Sequence, residues 1–291
     1  MRIAVLIQCH KNPKQINLLL ERLNHPDIDC YLHIDKKADF ADKIIHRENV
    51  FVLPDEQRVS VEWAQISQVT ATLNLLNTAV TGIRGGGGGY DYYWLISGQD
   101  WPLRSADEIV KFFEKHSGVN FVQYWDSKNH GNHKQNNLDK RNQIYFPIKF
   151  IGPKPWQKII KRGWVELTGG YNRTWKIFER KQLGVDFYFG SQWWALTGET
   201  VEWIINYLGQ HEDYYIFYKN TVCPDESFFQ TLVMRSPYAD KKTDYLTYLH
   251  FSEGANSPDI LRASDFPQAK ESGCLVMRKV DMDVDDFFVS R

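Results

Sequence analysis

From Arg2 to Cys9 the chain is a nearly continuous apolar run, IAVLIQC after the arginine. Such a strand has no polar face to give to water. It must be covered on both sides, as in a parallel sheet between two layers of helices. Asn12-Pro13 follows, a helix cap and a first-turn proline, and predicts a helix through about Leu23. Cys30 to Asp35 (CYLHID) reads as a second strand and Val50 to Leu53 as a short third. Helical spacing returns at Ile66, Val69, Leu73 and Leu76, and the run Gly85 to Gly89 makes a flexible connector. Tyr92 to Ser97 is a fourth strand, Ser105-Ala-Asp-Glu108 a capping box opening a helix to about His116, and Asn120 to Trp125 a fifth strand. This alternation predicts an α/β fold, a doubly wound and mostly parallel sheet with helices on both faces.

The pattern breaks down after Asp126. Residues 127–184 read as an irregular basic and aromatic insertion within one domain spanning 1–291. Its stretch YFPIKFIGPKPWQKIIKRGW suits either a solvated surface segment or a loop that covers a ligand or touches an anionic membrane. Periodicity resumes at Val185 to Leu196, with helices expected from about Gly198 to Leu208 and from Pro224 onward. Tyr245 to Phe251 and Leu275 to Val280 are the last strand candidates.

A formal net charge of -1 gives no global field for nucleic acid. Ten Trp, 15 Tyr and 17 Phe exceed what a core requires and suit stacking on sugar rings. The scattered cysteines Cys9, Cys30, Cys223 and Cys274 have no metal-ligand spacing, so reduced thiols are expected. Met1-Arg2 leads straight into a strand without the features of a signal peptide, and no segment has bilayer-spanning apolar length. The expected location is cytoplasmic, with peripheral contact at the inner face of the plasma membrane as an extension.

Ligands of such sheets sit at the carboxyl ends of the strands. Gln8 and His10 end the first strand, His33, Asp35 and Lys36 the second, and Ser97, Gly98, Gln99 and Asp100 the fourth. A carboxylate placed like Asp35 can accept the imino proton of uracil. CPDESFF puts Asp225 and Glu226 in a first helical turn, where Asp225 offsets the helix dipole. Glu226 lies beside Phe228 and Phe229, where desolvation would raise its pKa toward that of a base. Asp281, Asp283 and Asp285 look like metal ligands, but on an extended segment they would form a repulsive, solvent-facing row. Arg278 and Lys279 stand next to them as cationic donors.

Taken in order, AVLIQCHKNPKQINLLL, YLHIDKK, YYWLISGQDWPL, GSQWWALT, CPDESFFQT and LVMRKVD resemble the core-2/I-branching β-1,6-N-acetylglucosaminyltransferase family. That family also includes protein xylosyltransferases and stand-alone bacterial members. The resemblance implies a GT-A type nucleotide-sugar fold, inversion at the anomeric carbon, and no metal or other cofactor. It puts Lys279 at the diphosphate, with Arg262 or Arg278 as its partner. Glu226 falls on the catalytic base and Asp35 on the uridine-contacting acid. SGQD fills the place of the usual metal-binding pair, which frees Asp100 to bond a sugar hydroxyl. Gln8, His10, Lys36, Ser97, Gly98 and Gln99 complete the expected donor side. Ser191, Gln192, Trp193 and Asp225 form the expected acceptor side, with Trp193 stacking on a sugar, Trp194 packing in the core, and Trp101 either a second cleft residue or packed. The implied partners are a UDP-sugar, GlcNAc first and xylose second, and a glycan acceptor that a lipid could carry. A metal-dependent transferase using Asp100 with the tail aspartates and a non-catalytic glycan-binding module stay open as rival readings.

Overall fold

The computed structural model describes residues 1–82, 89–126, 141–142, 144–147, 152, 154–167, 180–243, 246–255 and 257–290. Most of the glycine connector and much of the predicted insertion lie outside the described residues. Among the described residues the central sheet has seven strands in the order β10-β6-β9-β4-β1-β2-β3. These are β1 (Ile3–Cys9), β2 (Ile28–Ile34), β3 (Val50–Val52), β4 (Tyr92–Ser97), β6 (Asn120–Val122), β9 (Trp194–Thr197) and β10 (Lys242–Thr243). β1 pairs in parallel with both β2 and β4, as the apolar runs require. β9 is the exception, antiparallel to β4 and to β6. Nothing in four residues of apolar sequence tells the direction in which a strand enters a sheet.

Period-two alternation on β1 divides the core. Ile3, Val5, Ile7 and Cys9 pack with Ile16, Leu19 and Leu20 of helix α1 (Pro13–Arg22). The same cluster takes in Ile109, Val110 and Phe113 of α3 (Ala106–Lys115). Ala4 and Leu6 face the other way, toward Val69, Leu75 and Leu76 of α2 (Ser67–Thr81) and toward later helices. Each aliphatic side chain buried in this way contributes roughly 1.5–3 kcal/mol. The expected caps are present. Asn12 Oδ1 accepts from Gln15 N at 3.0 Å, and Ser105 and Glu108 exchange both bonds of the capping box.

Two elements differ from the sequence reading. The polar turn after β4 continues into a strand, β5 (Asp100–Pro102), which pairs antiparallel with β12 (Val276–Arg278) near the carboxyl terminus. β11 (Thr247–Leu249) completes a small three-stranded sheet. Within the predicted irregular insertion, Pro155–Leu167 forms a helix, α4. The short strands β7 (Trp125–Asp126) and β8 (Tyr188–Phe189) pair with each other. α5 (Gly198–Gln210), α6 (Glu212–Tyr218), α7 (Phe228–Arg235) and α8 (Phe266–Glu271) complete the described helices. Among the described residues no helix is long and apolar enough to cross a membrane, and all four cysteines are free.

Candidate active site

The chain builds β1, β2 and β3 in one direction and then returns to place β4 on the other side of β1. Strand order therefore reverses between β1 and β4, the position at which open α/β sheets form a crevice. Register aligns three side chains there, with Gln8 opposite His33 on one side and Ser97 on the other. A cavity of about 420 Å³ opens over them, and Asp35, Lys37, Trp63, Gln192, Trp193 and Arg278 are among its walls. A larger cavity of about 780 Å³ lies beside Tyr90 to Tyr93, at the amino-terminal end of β4, and has Glu199, Glu202 and Lys241 in its lining. We place the site in the smaller cavity, because the convergent polar side chains and the strand ends are there.

On the donor side, Gln8 Nε2 donates to Thr72 Oγ1 at 2.8 Å and to Gln68 O at 3.1 Å. Its Oε1 accepts from Gln192 Nε2 at 3.3 Å, so Gln192 belongs to the cleft floor rather than to a separate acceptor wall. Burial pushes the His33 imidazole down to about 4, and its Nε2 accepts from Val59 N at 3.0 Å. Asp35 is buried, with Lys37 N donating to its Oδ1 at 2.9 Å. Lys36 is exposed and directed to Asp55 O, while its neighbour Lys37 lines the cavity. The lysine of this turn that lines the cavity is therefore Lys37 and not Lys36. Gly98 and Gln99 are outside the lining. Their carbonyls receive Gln15 Nε2 at 2.9 Å and Val280 N at 2.8 Å and so fasten the tail to this turn.

The cations come from that tail. Register sets Arg278 opposite Asp100, and Arg278 Nη1 donates to Asp100 Oδ1 at 2.8 Å. Asp100 Oδ2 accepts from Ser97 N at 2.9 Å, and the residue has no exposed surface. Burial pushes its carboxyl up, while the Arg278 guanidinium and the Ser97 amide pull it back. Asp100 is thus not free to hold a sugar hydroxyl, as the sequence suggested; both oxygens are engaged. The other side of Arg278 faces Trp193, with the guanidinium carbon 4.3 Å from the ring centroid. Trp193 therefore stacks on an arginine, and Trp194 packs in the core against Phe229. Trp101 is likewise internal, against Phe288.

Arg262 is exposed and outside the cavity lining, so of the two candidate arginines Arg278 is the one in the cleft. Lys279 Nζ donates to Ser257 Oγ at 2.7 Å. Burial, Arg278 and Lys11 all lower its ammonium pKa, and burial together with Lys11 and Arg278 lowers that of His10. Lys11, Arg278 and Lys279 thus share one neighbourhood. The aspartate row is not observed. Asp281 is buried and paired with Lys11, Asp283 Oδ1 accepts from Asn12 Nδ2, and Asp285 caps Ala263 N at 2.9 Å. The segment is a turn, which gives each carboxylate its own partner.

Pro224–Glu226 is a separate 3₁₀ turn before α7, not the first turn of that helix. Cys223 N donates to Ala64 O at 3.0 Å and Gly190 N to Glu226 O at 2.8 Å, which ties the turn to the loops beside Trp63 and Ser191. Glu226 and Asp225 are not in the cavity lining itself. Glu226 Oε2 accepts from Arg141 Nη1 at 2.6 Å, and its side chain is 43% exposed. The desolvation expected at Glu226 is found at Asp225. Burial there, with the Glu226 charge adding, raises the carboxyl to about 7, and Oδ1 is enclosed without a hydrogen-bond partner. Burial pushes the Cys223 thiol up, which leaves it a poor nucleophile. Ser191 is engaged locally, its carbonyl accepting from Gln230 and its Oγ from Trp193 N.

Sequence reasoning missed Trp63, 56% exposed at the cleft, as well as Gln15, Lys37 and Arg141. A tryptophan in the polar segment VEWAQ was the one available signal. The others depend on contacts across long stretches of sequence.

A parallel sheet with a polar and cationic crevice at its switch point is an arrangement suited to nucleotide ligands. The sequence model of the Core-2/I-Branching enzyme family matches residues 3–270. The chain belongs to that family. Similar curated proteins include xylosyltransferase 2 of Rattus norvegicus, 26% identical over 260 residues, and xylosyltransferase 1 of Homo sapiens, 23% identical over 257 residues. Each alignment takes in 84% of this chain but only 26% and 23% of those relatives, so the chain spans about a quarter of their length. Among solved structures, mouse xyloside xylosyltransferase 1 in its apo form is similar at 11% identity and a TM-score of 0.38, over 95% of this chain and 97% of that one.

Proposed function

We propose that this chain is an inverting glycosyltransferase of GT-A type that moves a sugar from a UDP-sugar to a hydroxyl of a glycan acceptor, as in surface polysaccharide or glycoconjugate synthesis. GlcNAc is the first donor and xylose the second, the latter supported by the names of the relatives. The observation that carries the reading is the Asp100–Arg278 pair. The carboxylate at the place of a metal-binding acid spends one oxygen on a guanidinium and the other on a backbone amide. The positive charge at the diphosphate is then supplied by Arg278 and Lys279, without a metal. A cation about 4 Å from the leaving group, at an effective dielectric near 20, is worth roughly 4 kcal/mol. That corresponds to about a thousandfold in rate.

In this reading Asp35 and the Gln8–Gln192 floor receive the nucleoside. Glu226 takes the proton of the acceptor hydroxyl as that oxygen attacks the anomeric carbon from the face opposite the diphosphate. Arg141 holds Glu226 through Oε2, and Oε1 is the atom that would take the proton. Trp63 offers an exposed ring for a sugar face, the part first expected of Trp193. Glu226→Gln tests the assignment. It should lower transfer by about 10²–10⁴ while leaving UDP affinity within about twofold. Transfer by the variant near the wild-type rate contradicts the role, and a wild type that binds glycans but transfers nothing from any UDP-sugar contradicts the enzyme.

A further inference from the structure

Helix α4, Pro155–Leu167, divides into sectors that packing alone does not explain. Its inner side is accounted for. Val165 is buried in a small cluster with Ala64, Phe146 and Val222, and Trp164 Nε1 donates to Tyr145 O at 2.8 Å. Lys161 turns inward as well, over the Phe146 ring at 5.7 Å. The outer side carries a second apolar stripe at Trp156, Ile159, Ile160 and Leu167, spaced i, i+3, i+4 and i+11, with Gly163 completing the i+7 position. These side chains are 49%, 73%, 39% and 65% exposed. Lys158 and Arg162 are exposed on one flank of α4, between the stripe and the inner side, with exposed Glu166 nearer the stripe, and exposed Lys154 precedes the helix. A helix needs one apolar face to join a fold, and this one has two.

We propose that the outer face of α4 docks on an anionic lipid surface. Aliphatic side chains with a tryptophan at one end and bases alongside are what an interfacial helix offers to acyl chains and headgroups. The exposed bases complement negatively charged headgroups and add attraction within a Debye length. Exposed Tyr145, joined to Trp164 through its carbonyl, adds a second amphipathic ring. Placement gives the surface a purpose. Val222, packed against the inner side of α4, leads through Cys223 directly into the Pro224–Glu226 turn. Docking would therefore hold Glu226 near the membrane, suited to an acceptor glycan carried on a lipid. That last step rests on the transferase reading; the docking face does not.

Sedimentation with vesicles tests the proposal on the full chain. Wild type should pellet with phosphatidylglycerol-containing vesicles, less so at high salt, and should stay in solution with phosphatidylcholine alone. Two double variants at exposed positions, Ile159→Glu with Leu167→Glu and Lys158→Glu with Arg162→Glu, should each lose at least tenfold in vesicle affinity while keeping UDP affinity. Failure of wild type to bind the vesicles, or equal binding by the variants, overturns the proposal. So does a wild-type dimer in sedimentation equilibrium that the Ile159→Glu, Leu167→Glu variant dissociates, since a second copy would then cover the stripe. Vesicle binding without UDP binding would leave the docking face standing and sink the donor site.

Discussion

At Asp100 a carboxylate with no exposed surface meets the guanidinium of Arg278, whose side chain is 12% exposed. Removing one member of a buried pair leaves the other without compensation, typically at a cost of about 3–5 kcal/mol. Asp100→Ala should therefore lower unfolding free energy by that order in urea titrations, and an effect below about 1 kcal/mol would show that the pair is not structurally required. Asp225 gives a prediction of pH dependence. Burial raises its carboxyl from 3.8 to about 7, so the folded state holds this proton more tightly than the unfolded chain. Its contribution to stability is then complete below about pH 4 and is lost as pH rises through about 7. Asp225→Asn removes that loss. Its stability relative to wild type should rise across this window by up to about 4 kcal/mol, whereas a flat difference between the two unfolding curves would contradict the burial argument.

Elements built from local signals were legible. The apolar run of β1 spans seven consecutive residues, and the Asn12 cap and the Ser105 capping box each rest on residues three positions apart. The Asn12 cap has a further feature, a φ of 53°, which suits Asn or Gly and strains other side chains. Asn12→Ala should cost about 1–2 kcal/mol and Asn12→Gly only a few tenths, compared by thermal unfolding; equal costs would assign the loss to the side-chain bond alone. What was not legible depends on distant partners. β5 exists because Asp100 to Pro102 meet Val276 to Arg278, and no pattern within DWP announces that pairing. The acidic tail looked like a row because period-two spacing implies a strand, yet Lys11, Asn12 and Ala263 draw its aspartates into a turn. Likewise the CPDE segment carried its carboxylates visibly, but which of them is desolvated was decided by Arg141 and by the enclosure around Asp225.

On the scale of the molecule, the site joins the first fifteen residues to the last twenty. Gln15 makes that junction, donating to Gly98 O and to Val280 O while its Oε1 accepts from Met282 N at 3.0 Å. Arg278 therefore reaches the crevice on a framework that also holds the β4 turn. Lys279→Ala should weaken UDP by about tenfold or more, while Lys158→Ala on α4 should leave it unchanged; equal losses at the two positions would argue for nonspecific attraction. The most direct test of fixed cations in place of a metal is calorimetric titration of UDP in EDTA, with wild type and Arg278→Ala. The account predicts wild-type binding that chelation does not alter and at least about a hundredfold weaker binding in the variant. Binding that vanishes in EDTA, returns with manganese and is unchanged in Arg278→Ala would contradict it.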